Sequence, residues 1–585
     1  MMRPALVFAL AALGCNPAPS TGTDATDTDA GLGGPGPDHD TLEQDEDGCY
    51  LLQGARSADL ALVDSVCYRL TGLFEVSSAR LSAGPGTAIT AAADGGLLIG
   101  PDADIQFEGS ATSPIQITPE LRGDDDANAQ AGGAWKGVYV RSEVVSRLHY
   151  VHLEGASGSI GQGPAAALTL TGVASLRELT LLDSGGHALR LEPTARLSDL
   201  SMSTFGAAGL ATIQLSAAQL RELGPGLEFT ASDARIEVTD ANLTGGTHVW
   251  QPQPVPIHIA GTVDVRSADV TFEPGLQLHF LPGTALQFDL DTQLRSLGQA
   301  DAPVVLRGTD GPGSWRGLFV RSRSAESLLQ HTHILDGGAA RYLNAEADNA
   351  NLVLSDEARL IVAHCRFEGS GGYGMSVTSS GHPMFQGPSS FEGNAWGSLR
   401  VSARHLADLN DELSFDDEGP IRVRAGTLNG HPGTWPALDV PYEVEGLITL
   451  RNAAVVVGAG AHLLLHEDAG IQVESTASLT AVGRDDAPIH FEGLIAGEGT
   501  WRGLAFASSS ALNQIQHATI SGAGGLAFGG EAAAVAVLPG GRLRVLDATV
   551  SDSAGWGIWR GNNAVLDPNP PTNMSYSNNA LGDLN

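Results

Sequence analysis

GAWKGVYVRS, Gly133 to Ser142, decides the fold because the chain writes it three times. GSWRGLFVRS follows at Gly313 to Ser322, and GTWRGLAFAS at Gly499 to Ser508. Each copy is a small residue, a Trp, a base and a Gly, then residues that alternate between inward and outward character. Alternation of period two is the mark of a strand, and the Gly before it marks a turn. Trp135, Trp315 and Trp501 stand at nearly equal intervals along the chain.

The signature is one point in a longer register. YRLTGLFEV from Tyr68, IHIAGTVDV from Ile257 and YEVEGLITL from Tyr442 keep nearly the same interval. A Pro-led strand precedes each Trp: SPIQIT from Ser113, APVVLRG from Ala302, APIHFEG from Ala487. After each Trp come LHYVHLEGA from Leu148, LQHTHILDGG from Leu329 and IQHATISGAG from Ile515. SGGHALRL from Ser184, SGGYGMSV from Ser370 and SAGWGIWR from Ser553 follow in the same order. Self-similarity of this kind divides the chain into about 2.7 long units of ~185 residues. They lie near 65–250, 251–436 and 437–585. Within a unit, short alternating strands recur about every 20–25 residues between Gly, Asn, Asp and Ser. Such a beat predicts a β-solenoid, whose coils bury apolar residues only by stacking on one another. About eight coils per unit are expected, which spreads the signature along a rod.

At these residues the chain resembles a known family. The Pro-led strand, a loop, W-[KR]-G-[LV]-x-[FV], then L-x-[YH]-x-x-I and a Gly pair are similar to the right-handed parallel β-helix repeats of bacterial surface and secreted proteins. The resemblance spans about residues 49–585. It implies an all-β, right-handed parallel β-helix. That fold carries lyases, glycosidases, tailspikes and adhesins, so function has to come from the site.

Composition narrows the partners. Asp and Glu number 67 against 32 Lys and Arg, a net charge of −35, which argues against nucleic acid and anionic membrane surface as partners. The N-terminus reads MMRPALVFALAALGC, with a basic Arg3, an apolar run and Gly14-Cys15. It resembles a bacterial lipoprotein signal over residues 1–14, with Cys15 as the lipidated anchor; a plain cleaved signal peptide is the alternative. Residues 15–48 are rich in Pro, Gly, Thr and Asp, an acidic tether with little to bury. Asn16 follows the Cys where Asp would suggest inner-membrane retention, so an outer-membrane or cell-surface location is expected. Export would let Cys49 and Cys67 form a disulfide, and Cys365 is left as a small core residue.

Candidate chemistry is sparse. Trp135, Trp315 and Trp501 are either sugar-stacking platforms or coil-edge packing. Duplication should place them on one face, and the packing reading has them more than half buried. Lys136, Arg316 and Arg502 would lie outside, free to pair with carboxylates. Asp124, Asp125 and Asp126, in the longest loop before a signature Trp, are a candidate Ca²⁺ site or a solvated turn; Asp416, Asp417 and Glu418 form a weaker cluster. No catalytic motif of the polygalacturonase, pectate-lyase, zinc-protease or nucleophile-elbow kind is present. The expectation is a lipid-anchored, non-catalytic surface protein that binds polysaccharide or another surface. The alternative is a polysaccharide lyase or glycoside hydrolase on the same fold.

The anchoring expectation has a direct test. Cys15→Ser should move the protein out of the membrane fraction or leave it unprocessed. Unchanged membrane association without incorporated fatty acid would remove the lipoprotein reading.

Overall fold

The computed structural model describes residues 39, 41–120, 135–240, 242–341, 348–378, 380–416 and 419–585. These form a parallel β-solenoid of about 21 turns with 2% helix. A typical turn has three short strands, one on each of three sides. The second turn runs through Tyr68–Val76, which covers two sides, and Arg80–Ala83. The third runs through Ala88–Ala91, Gly96–Ile99 and Asp104–Glu108.

Period-two alternation forms these strands because one row of side chains must face inward. One inner column starts at Phe74 and passes through Leu97, Val138, Leu168 and Leu189. It continues through Ile213, Ile236 and Ile257, then Leu278, Leu306 and Ile334. It ends in the ring stack Phe367, Phe391 and Phe415, with centroids 5.0 and 5.5 Å apart. Every residue of this column is buried. At about 1.5–3 kcal/mol per buried large aliphatic or aromatic side chain, such columns supply the main force opposing chain entropy.

The ladders do not stop at unit boundaries, and they do not keep their roles. The side that carries Val138–Val140 in the first unit continues through Ile236–Asp240 into Ile257–Ile259. Ile257 is the equivalent of Tyr68, which lies on the preceding side. The same step recurs where Ile421–Arg424 passes into Tyr442–Val444. From Tyr68 to Ile257, and again from Ile257 to Tyr442, the chain makes seven turns plus one extra side. Each unit is thus rotated by one side relative to the last.

A 3₁₀ helix stands at each joint. Ala217–Glu222 and Ala403–Asp408 occupy equivalent places in successive units. Each takes the place of a strand and ends its ladder, and Asn242–Thr244 and Gly426–Asn429 then start new ones. No helical period marks either stretch in the sequence, because so short a segment cannot show one.

At the N-terminal end Cys49 and Cys67 are joined by a disulfide, with Cα atoms 4.6 Å apart. Beside it, His39 Nε2 lies 2.8 Å from the Tyr68 hydroxyl and its ring stacks on Tyr50. Because each turn touches only its neighbours, unfolding should begin at the ends. Reducing Cys49–Cys67 should raise hydrogen exchange in the first turns before the rest. Uniform loosening, or none, would contradict this.

Candidate functional site

The three signature tryptophans are fully buried, each 0% exposed. Each indole Nε1 donates to the last carbonyl of the strand opening the following turn: Trp135 to Glu154 at 2.8 Å, Trp315 to Leu335 at 2.7 Å, Trp501 to Ser521 at 2.7 Å. Trp315 also stacks on Phe280 of the preceding turn, centroids 4.0 Å apart. They therefore offer no ring face to a sugar, and of the two readings of Trp135, Trp315 and Trp501 burial contradicts sugar stacking and agrees with packing. Their work is to fasten turn to turn.

The rest of the signature follows from the same corner. Gly137, Gly317 and Gly503 have φ of +81°, +112° and +114°. A Cβ on them would come within 2.3, 2.3 and 2.6 Å of the Ala166, Ala350 and Ala533 carbonyls, so only Gly fits. The Ser ending each copy is buried, and Ser322 and Ser508 donate to the Thr292 and Ala477 carbonyls one turn back. The base lies outside but does more than meet carboxylates. Lys136 reaches Asp94 at 3.7 Å. Arg316 donates to the Arg341 carbonyl at 2.9 Å, and the Arg502 guanidinium lies 5.3 Å from the Phe528 ring centre. In these two units the base pins the loop that folds over its strand.

Equivalent positions do not share a face. Trp135, Trp315 and Trp501 lead into Val138–Val140, Leu318–Val320 and Gly503–Phe506, which belong to three different sheets. The expectation of one face fails because each unit contains a third of a turn beyond a whole number. A binding line along the rod cannot be assembled from repeated residues.

Other expectations fall as follows. Cys15 and Asp124, Asp125 and Asp126 lie outside the described residues, as do Asp417 and Glu418. Among the described residues no three His, Cys, Asp or Glu are grouped as a metal site. Cys365 is buried, and burial pushes its thiol up to about 12. Tyr150, His331 and His517 are equivalent corner residues with φ of 52°, 41° and 44°; His331 stacks on His364 at 4.5 Å. They are rim residues.

A groove missed by the sequence reading lies at the second joint. Three adjoining depressions of about 420, 360 and 480 Å³ share walls. Ser380 and Arg404 line the first two; Arg359 and His382 line the second and third. Arg323, Arg359, His382 and Arg404 come from one corner in four successive turns, and the fifth turn adds His431 from the far end of Gly426–Asn429. At about 4.8 Å per turn the row spans on the order of 20 Å. Pro383 and Met384 give part of it an apolar floor. Of the two carboxylates that line it among the described residues, Glu357 pairs with Arg323 at 3.5 Å and Asp408 with His405 at 3.1 Å.

The groove's wall is tied to a charged network. Ser376, Arg400, Arg422 and Glu443 are register neighbours on one ladder. Asp348 holds Arg400 at 2.7 Å, and also Arg424 and the Ser376 hydroxyl; Glu445 takes Arg400 at 2.8 Å. Arg424 lines the first depression, yet its Nε, like Ser402 Oγ beside it, is buried with no hydrogen-bond partner among the described residues. His405 Nε2 is orphaned in the same way, with its ring edge-on to His382 at 6.2 Å. An unmade buried hydrogen bond costs about 1–3 kcal/mol. Three such atoms gather here, while nine others are scattered over the rest of the described residues. The exposed tryptophan is Trp396, 42% accessible, at the far end of the strand that runs to Ser402. No signal in the sequence set these residues apart, since they gather only when five turns stack.

The fastening role of the tryptophans is testable. Trp315→Ala should cost about 3–5 kcal/mol, the usual range for a buried aromatic, and leave ligand binding elsewhere intact. Equilibrium denaturation showing a change under about 1 kcal/mol would refute the role. No family model, curated protein or solved structure matches the chain, so the site is read from its own chemistry.

Proposed function

We propose that the protein is an exported, lipid-anchored surface protein whose solenoid binds polysaccharide, or another cell's surface, without catalysis. The observation that carries this reading is the groove across five turns at the second joint. It is long, open and lined by arginines, histidines and an apolar strip. A row of that kind suits an extended polymer better than a compact metabolite, which calls for an enclosing pocket. Glycoside hydrolysis needs an acid and a carboxylate facing each other across the sugar. Both carboxylates on the groove are instead engaged by basic partners on their own side.

The anchoring part rests on Gly14-Cys15 and the acidic tether behind it. A leash of that composition extends by self-repulsion and would hold the solenoid clear of a membrane. Among the described residues no helix is long and apolar enough to cross one.

One purified sample decides between binding and turnover. A glycan array is read beside reducing-sugar and unsaturated-uronate assays. Binding without product is the expected result. Release of reducing ends or unsaturated products would overturn the non-catalytic reading in favour of a hydrolase or lyase.

A further inference from the structure

We infer that the groove at the second joint takes an acidic saccharide chain, with carboxylates or sulfates seated along the row from Arg359 to Arg404 and Arg424. The inference rests on the polysaccharide reading above and names its ligand class.

The electrostatics run against the rest of the molecule. The chain carries −35 overall, yet the three depressions are lined by Arg323, Arg359, Arg404 and Arg424 against Glu357 and Asp408, with Asp348 behind the wall paired to Arg424. Glu357 is held by Arg323, and among the described residues Arg359 has no carboxylate within salt-bridge distance. Guanidinium groups present paired donors that match carboxylate and sulfate geometry, and charged hydrogen bonds of that type are the strong ones. The wall offers one further donor: Ser402 Oγ gains an acceptor if its hydroxyl turns into the depression it lines, beside an Arg424 held in place by Asp348. The spacing fits a polymer. Register pairs Arg359 with His382 on adjacent turns and Arg404 follows on the next, so basic side chains recur along the axis as charges recur along an acidic glycan, His382 carrying charge only once protonated. The acidic surface elsewhere would repel such a chain and confine it to this corner.

The histidines add a second readout. Burial together with Arg404, His405 and Arg359 holds His382 below the ordinary imidazole value, against the opposing charge of Asp408. Burial with Arg404 and His405 does the same to His431, again opposed by Asp408. Both are therefore largely neutral at pH 7. A bound anion favours their charged forms, so binding takes up protons and affinity should rise as pH falls from neutral toward their lowered values.

The test uses the full mature chain with three probes: alginate oligomers for carboxylate, dextran sulfate for sulfate, and neutral dextran. Titration calorimetry is expected to show binding of at least one acidic probe, weakened by salt, and none of neutral dextran. Which acidic probe binds names the anion. Arg359→Gln and Arg404→Gln should each weaken binding by about tenfold, the loss of one charged contact. Arg147→Gln, an exposed arginine beside Glu108 in the first unit, should not. His382→Gln with His431→Gln should flatten the rise at low pH. Thermal melts of every variant confirm folding, and Arg359→Lys, which keeps the charge, should recover part of the affinity. Equal binding of neutral and acidic probes would overturn the inference. Glycan binding unchanged by both arginine substitutions would remove the groove but leave the polysaccharide reading. Failure to bind any glycan would remove both.

Discussion

The parallel ladder is the constraint on which this molecule depends. Every backbone amide on a side needs a carbonyl one turn away, and the inner columns can leave water only while that register holds. The column from Phe74 to Phe415 runs without a break through the first unit and the second. A solenoid of this kind has no centre, so its stability comes from nearest neighbours. Corners then become the points of strain, since the chain must change direction there without leaving buried donors unpaired. The signature is one solution to that problem. Its Trp reaches forward to the next turn's carbonyl, its Gly lets backbone approach backbone, and in two copies its Ser reaches back one turn.

Rotation by one side per unit has consequences for evolution as well as geometry. Duplication of a block of seven turns and a third puts identical sequence into three different surroundings. Residues that face inward are insensitive to this, because the core is apolar on all three sides. Outward residues are not: Lys136 meets Asp94, Arg316 the Arg341 carbonyl and Arg502 the Phe528 ring. The 3₁₀ helices Ala217–Glu222 and Ala403–Asp408 stand where one ladder ends and another starts. Such a joint interrupts regular stacking and leaves room at the surface. The groove sits at the second of them.

The charged network beside the groove shows how an in-register ladder treats like charges. Arg400 stacks on Arg422 at one strand spacing, which alone is unfavourable. Asp348, Glu443 and Glu445 offset it, with Asp348 shared between Arg400 and Arg424 and Glu443 also contacted by His466 at 2.7 Å. Asp348 and Glu443 are nearly buried, so removing either would strand a guanidinium, a large penalty in a partly desolvated site. The network thereby fixes the position of Arg424 on the groove wall.

Some of this was legible in the chain alone. Period-two alternation, Gly at corners and the thrice-written signature determine a β-solenoid with long repeats, because those patterns are local and each follows from a single strand or turn. The burial of Trp135, Trp315 and Trp501 was one of two open readings. The spacing of identical residues could not choose between them, since burial depends on what the next turn brings. Tertiary structure alone decided which side each unit faces, because a third of a turn is invisible to a count of residues whose loops differ in length. It also decided where function can reside. Arg323, Arg359, His382, Arg404 and His431 are each unremarkable in the sequence and separated by about one turn of chain. They gather along one groove only when five turns are stacked by the backbone ladder.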